Sequence, residues 1–171
     1  MCQLKAGKQK GLLMKREAVI NDELFISWTS NFQQMSEEEI RKIYISDTSS
    51  VFALSDKERH NIITVLCKSY NPLAIKLTSP KKMVKTNEKL TRSLYRDYHY
   101  VFGYFFTHFV AGSTVGGYCF TYSVDNIKQA VKTVLLRSKR NIYSISCYGR
   151  IENCEDDHKR FDTILKSVRW K

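Results

Sequence analysis

Residues 142–170 read IYSISCYGRIENCEDDHKRFDTILKSVRW. The first part alternates apolar and small or polar residues with period two, the pattern of a half-buried strand over 141–150. Asn153 then stands as an N-cap, and Glu155, Asp156 and Asp157 fill a first helical turn, where negative charge suits the helix dipole. Phe161, Ile164, Leu165 and Val168 follow at i, i+3, i+4 and i+7, so the helix carries one apolar stripe. Lys166 and Arg169 lie near its C-terminal end, where positive charge is favoured.

The same stretch holds Cys147, Cys154 and His158, a set that invites a metal or thiol chemistry. Running the apolar stripe backwards from Phe161 reaches His158 and then Cys154, which places both on the buried face. Cysteine behaves there as a small hydrophobe. A Cys154/His158 pair at i, i+4 with Cys147 as third ligand is the zinc alternative, but no fourth ligand is evident and the spacing matches no common zinc motif. Core packing is therefore the expectation, ahead of a metal site and of a catalytic thiol.

Upstream, residues 98–110, 114–124, 128–137 and 141–150 are four long β-type segments joined by Ala111-Gly112-Ser113, a short polar link and Ser138-Lys139-Arg140, which predicts an antiparallel meander. Gly116-Gly117 inside the second segment predicts a bulge or a close backbone approach. A helix is expected from about Val84 to Arg96, with Leu90 and Leu94 one turn apart on it, after a proline-bounded connection over 71–81. Strands at 51–54 and 60–67 pair around Ser55–Glu58, with Ile63, Val65 and Cys67 on one face. Ser36 and Glu39 form a capping box for a short helix ending near Tyr44, with Met35 and Ile40 as its staple, and residues 23–28 are a strand after the Asn21-Asp22 turn. Residues 1–17 read as a basic arm, and residues 18–171 as a single domain. The fold class is α+β: an antiparallel sheet of about six strands flanked by helices.

The chain has 171 residues, ten tyrosines, nine phenylalanines, two prolines, seven glycines and a formal net charge of +11. That length buries a real core, and so few prolines and glycines exclude a low-complexity chain. Five cysteines, at 2, 67, 119, 147 and 154, with no C-x-x-C, suit reduced thiols and a cytoplasmic setting better than a disulfide framework. A lipoprotein processed at Cys2 is the alternative. No segment reaches membrane-spanning length. No nucleophile elbow, phosphate loop, dinucleotide fingerprint or H-E-x-x-H occurs, and His60, His99 and His108 stand alone, so neither a cofactor nor catalytic residues are expected.

The order of elements, with the ending Phe161-x-x-Ile164-Leu165-x-Ser167 followed by Trp170, resembles the PsbP/Mog superfamily, named for a photosystem extrinsic protein and a nuclear-import factor. LFISWTSNFQQMSEEE resembles the family's first strand and short helix, without the Pro and Gly often found there. The resemblance implies an α/β/α sandwich and a non-enzymatic scaffold, from a small bacterial relative, whose partner is another protein, the chain being a monomer or weak dimer. The alternative is nucleic-acid or polyanion binding, which a basic chain favours. Its candidate anion-binding residues are Lys81, Lys82 and Lys85, Lys128 and Lys132, and Arg137, Lys139 and Arg140. A third possibility is a small-molecule pocket lined by Phe102, Tyr104, Phe106 and Tyr118.

Overall fold

The computed structural model describes residues 15–43 and 51–171. Strands β1 (Lys15–Ile20) and β2 (Leu24–Thr29) form a hairpin whose turn residues Asn21 and Asp22 adopt φ of 49° and 54°, a region that Asn and Asp tolerate better than most residues. The last three residues of the expected basic arm, 15–17, belong to this hairpin. Lys15, Arg16 and Glu17 pair with Thr29, Trp28 and Ser27, and residues 1–14 lie outside the described residues.

The short β3 (Gln33–Gln34) leads to α1 (Glu37–Ile43), where the expected capping box is in place. Glu39 N–H donates to Ser36 Oγ at 3.2 Å and Ser36 N–H to Glu39 Oε2 at 2.9 Å. The expected end of that helix at Tyr44 falls outside the described residues. Strands β4 (Val51–Asp56) and β5 (Asn61–Ser69) follow. The stretch 71–81, expected as a connection, holds a further helix, α2 (Pro72–Leu77), and the start of α3 (Pro80–Leu94). Both begin alike: Asn71 and Ser79 accept from the N–H of Leu73 and Lys82, and a proline occupies the first helical position. The prolines start helices here, rather than bounding a loop.

The meander forms as expected in β6 (Val101–Val110), β7 (Ser113–Val124), β8 (Ile127–Arg137) and β9 (Asn141–Arg150). The chain closes with α4 (Cys154–Leu165) and β10 (Arg169–Trp170). The main antiparallel sheet has seven strands in the order β3-β4-β5-β9-β8-β7-β6. The expected strand near residues 23–28 is β2, which lies outside it, in a three-stranded sheet ordered β1-β2-β10.

Each face of the large sheet has its own core. Ile63, Val65 and Cys67 share one face, as their alternation requires, with Val134, Leu136, Tyr143 and Ile145. Against them pack Leu24 and Ile26 of β2 and the stripe Phe161, Ile164, Leu165 and Val168 of α4. The opposite face carries Tyr118, Phe120, Val131 and Leu135, covered by Met83 and Val84 of α3. The glycine pair in β7 serves close approach: a Cβ on Gly116 would stand 2.6 Å from Val84, and one on Gly117 would meet the Thr133 carbonyl. The irregularity in the ladder lies instead on β6, between Phe102 and Phe105, opposite Tyr118–Phe120 rather than the glycines.

Two polar clasps seat α4. Ser167 Oγ accepts from Ser27 N–H at 2.9 Å and lies 2.9 Å from the Ser27 carbonyl, tying the end of the helix to β2. At the start, Asp157 is buried, 3.2 Å from Arg59 Nε and 3.8 Å from Arg160 Nη1, while Arg160 Nη2 reaches Asp56 at 2.6 Å. Asn153 makes no side-chain cap. Asp157, grouped by sequence with the exposed first-turn acids, is a core residue.

Gly149 leaves room for that carboxylate, since a Cβ there would collide with Asp157 Oδ2 and stand 3.3 Å from Asn61 Nδ2. Gly149→Ala is expected to lower the unfolding free energy by about 1–3 kcal/mol, read from urea denaturation. An unchanged midpoint would show that α4 shifts freely. Glu23 in the β1–β2 turn accepts from Tyr143 Oη at 2.7 Å and Asn141 Nδ2 at 2.9 Å, and these bonds hold its carboxyl below the usual carboxylate range. Its contribution is present above the ordinary glutamate pKa and is lost as pH falls through the depressed folded value. Glu23→Gln is thus expected to cost more stability at pH 7 than at pH 3, and denaturation at the two pH values measures the difference.

Candidate functional site

The eight candidate cations do not form one patch. Lys132 is withdrawn beneath α4, its ammonium 2.7 and 2.9 Å from the Asp162 carboxylate and its side chain 13% exposed. Lys128 is exposed near the opposite end of β8 from Arg137, about 30 Å along the strand. The remaining six share one end of the molecule. Arg137 Nη1 donates to the carbonyls of Thr78 at 2.7 Å and Ile75 at 3.2 Å, tying β8 to the link between α2 and α3. Tyr70 N–H donates to the Arg140 carbonyl at 2.8 Å, bringing the β8–β9 turn to the same place. Lys81, Lys82 and Lys85 occupy the first turns of α3, which carry no acid. Among the described residues, Lys81, Lys82, Lys85, Lys139 and Arg140 have no carboxylate within ion-pair distance.

The seating of α3 turns the expected apolar stripe outward. The sheet beneath it presents tyrosine hydroxyls, and these select polar helix residues. Tyr118 Oη donates to Asn87 Oδ1 at 2.6 Å and lies 2.8 Å from Thr91 Oγ1, while Tyr100 Oη donates to Glu88 at 2.9 Å. Burial pushes the Tyr118 phenol up to about 12, and burial followed by the Glu88 contact raises that of Tyr100, so both stay protonated donors. With Val84, Asn87, Glu88 and Thr91 facing the sheet, Leu90 and Leu94 are left 56% and 76% exposed. Leu73 and Leu77 of α2 are exposed as well. Glu88 is the helix's one acid, and it is buried and held by Arg92 at 2.8 Å. The open side of α3 therefore combines leucine with Lys81, Lys82, Lys85 and Lys89.

Among the described residues, the cysteines and histidines do not assemble a reactive centre. Cys147 is buried, accepts from Asn61 Nδ2 at 3.2 Å, and has its thiol pushed up to about 12 by burial. Cys154 and His158 are only partly buried, on the flank of α4 facing β6–β8 rather than at the centre of its apolar face as their spacing suggested. His158, its imidazole pKa lowered by burial and by Lys132, joins Lys132, Asp162 and His108, whose Nε2 is 3.9 Å from Asp162. Among the described residues no three His, Cys, Asp or Glu side chains are grouped to hold a metal ion. His60 and His99 are exposed turn residues, each with φ of 54°. The four aromatics expected to line one pocket divide between faces: Phe102 and Tyr118 lie on the α3 side, and Phe106 packs against the core on the other. An open cleft of about 360 Å³ beside Phe102 is lined by Arg92, Arg96, Tyr100 and Val101.

With this arrangement in hand, solved structures give a consistent answer. CyanoP, the PsbP of the cyanobacterium Synechocystis sp. PCC 6803, superposes with a TM-score of 0.66 at 8% identity, covering 98% of this chain and 99% of its own. The Ran-binding protein Mog1p of Saccharomyces cerevisiae gives 0.60 at 6% identity, over 92% and 96% of the two chains. LpqN of Mycobacterium tuberculosis, involved in cell envelope biogenesis, gives 0.57 at 10% identity, over 93% and 91%. The fold is PsbP/Mog-like. No family model and no curated protein sequence matches the chain. Similarity at this level of identity establishes architecture, and the site has to be argued from its own residues.

Thiol chemistry tests the buried cysteines directly. Burial raises the pKa of Cys67 and Cys119 as well as Cys147, so none presents a thiolate near neutral pH. Alkylation of the native protein, mapped by mass spectrometry, is expected to modify Cys154 first among the described cysteines and Cys147 last, in step with unfolding. Rapid modification of Cys147 would show that the Asn61 cage opens.

Proposed function

We propose that this chain is a non-enzymatic protein-binding domain and that α3 is the element its partner grips. The observation that carries the proposal is the pair Leu90 and Leu94, exposed on a helix whose unpaired charges are all positive. Such a surface fits an apolar groove rimmed by carboxylates on another protein, with the leucines as anchors and the lysines on the rim. Each leucine brings about 1.5–3 kcal/mol when fully buried, whereas the rim charges act mainly on encounter rate and salt dependence. The fold supports this reading by example, since Mog1p is a Ran-binding protein. A cytoplasmic setting is part of the proposal, supported by four unpaired cysteines at 67, 119, 147 and 154.

Polyanion binding is the second reading, favoured by the six cations gathered at the α3 and β8–β9 end. The two respond oppositely to substitution. The immobilised protein is exposed to cell lysate at low and moderate salt, with and without nuclease, beside Leu90→Asp/Leu94→Asp and Lys81→Glu/Lys82→Glu variants. A protein partner is expected to survive nuclease and to be lost on the leucine variant, weakened about 10- to 100-fold or more. Retention that vanishes with nuclease or moderate salt, and that ignores the leucines while requiring Lys81 and Lys82, would overturn the proposal for phosphate binding.

A further inference from the structure

The outer edges of the two sheets are protected to very different degrees. β3 is two polar residues long, β1 carries Lys15, Arg16 and Glu17, and β10 is two residues with Arg169. Shortness and charge are the usual means of keeping an edge from pairing. β6 forms the remaining edge and uses neither: VFGYFFTHFV is ten residues long, without proline and without an acidic, lysine or arginine side chain. Half of its peptide groups point away from β7, as in any edge strand. Its irregularity is confined to Phe102–Phe105, so the ladder is regular from Phe105 to Val110. Phe105 and Phe109 are 44% and 66% exposed, and Tyr104 is exposed beside them.

We propose that β6 pairs antiparallel with β6 of a second copy of this chain, about a two-fold axis through Thr107. That register sets Tyr104 opposite Val110, Phe105 opposite Phe109 and Phe106 opposite His108 of the other copy, with Thr107 facing itself. Phe105, Thr107 and Phe109 share a face, since they lie opposite Tyr118, Gly116 and Thr114 of β7. Each exposed phenylalanine thus meets the other copy's phenylalanine on the same side of the sheet, twice by symmetry, flanking a Thr–Thr pair. These are favourable cross-strand combinations, and no like charges are brought together. The strand is its own complement in pattern, as a closed two-fold interface requires. The two seven-stranded sheets become one. Phe105, Thr107 and Phe109 lie on the sheet face that α3 covers, but the pairing uses the open edge of β6 rather than the exposed leucines, and the inference does not depend on what α3 binds.

Sedimentation of the full chain over micromolar to millimolar concentrations tests this at low and high salt. A monomer–dimer equilibrium is expected that tightens as salt screens the repulsion between two chains of +11 each. Binding of an acidic partner on α3 weakens with salt, so the two proposals fail independently. Phe109→Lys, at an exposed position, is expected to raise the dimer Kd about tenfold or more. Under dissolved oxygen as oxidant, Thr107→Cys is expected to give an intermolecular disulfide between the introduced thiols, because directly opposed Cα atoms of antiparallel strands stand about 4.5–5.5 Å apart. A chain monomeric throughout would overturn the proposal and leave the edge to an extended segment of a different protein. A dimer indifferent to Phe109→Lys, without the Thr107→Cys cross-link, would overturn it in favour of another face.

Discussion

The carboxylate of Asp157, 1% exposed between Arg59 and Arg160, is the constraint from which the rest of the arrangement follows. Arg160 also holds Asp56 at 2.6 Å and lies over the Phe32 ring at 4.6 Å. Asn61 donates to the Tyr148 carbonyl at 2.9 Å and to Cys147. One cluster thereby fastens the β4–β5 turn, β9, the segment after β2 and the first turn of α4. Burial raises the Asp157 carboxyl even with two guanidiniums beside it, so desolvation is the larger effect. A buried pair of this kind adds little net stability, but removing one partner leaves an uncompensated charge and is costly. Its value here is positional. With the helix start fixed there and its end held by Ser167, the stripe from Phe161 to Val168 has a single seating between β2 and the large sheet.

The two faces of the large sheet then impose different chemistry on what covers them. The α4 side is mostly aliphatic and accepts an ordinary apolar helix stripe. The α3 side bears the buried Tyr118 and the half-buried Tyr100, whose hydroxyls take partners from the helix. Asn87, Glu88 and Thr91 supply those partners, and the seating of α3 that brings them inward leaves Leu90 on the open flank, while Leu94, the last residue of the helix, is exposed as well. The exposure of Leu90 is thus a consequence of satisfying these phenols. The lysines of α3 go without a carboxylate partner on the helix because its single acid, Glu88, lies on the sheet side.

Much of the fold was legible because periodicity reports the covered face of an element. The meander, the α4 stripe and the Ile63/Val65/Cys67 face all declare themselves by spacing, and the ending around Ser167 and Trp170 points to the fold. What stayed hidden depended on partners distant in sequence. Asp157 resembles its neighbours Glu155 and Asp156 until Arg59 and Gly149 are known to face it. Leu90 and Leu94 resemble a core stripe until the tyrosines below are seen to select the polar side. Lys132 resembles Lys128, four residues away on the same strand, until Asp162 of α4 closes over it. Asn71-Pro72 and Ser79-Pro80 were legible in principle, as cap-plus-proline helix starts, but a cluster of turn formers reads equally as a loop.

Identities of 6–10% with CyanoP, Mog1p and LpqN show how little of the sequence this architecture needs. The surface is free to carry a function of its own, and here its features fall into two kinds with opposite electrostatics. The α3 face is cationic and suits an acidic partner; the β6 edge is uncharged and suits its own copy. These are linked through the net charge. Two chains of +11 repel one another over roughly a Debye length, about 8–10 Å at physiological salt, which weakens pairing at β6. An acidic protein bound on α3 lowers that charge, and so favours pairing. By reciprocity a paired chain presents two cationic helices and a denser positive field, and so attracts the acidic partner more strongly. On the two proposals together, the basic surface both selects the partner and sets the threshold for self-association.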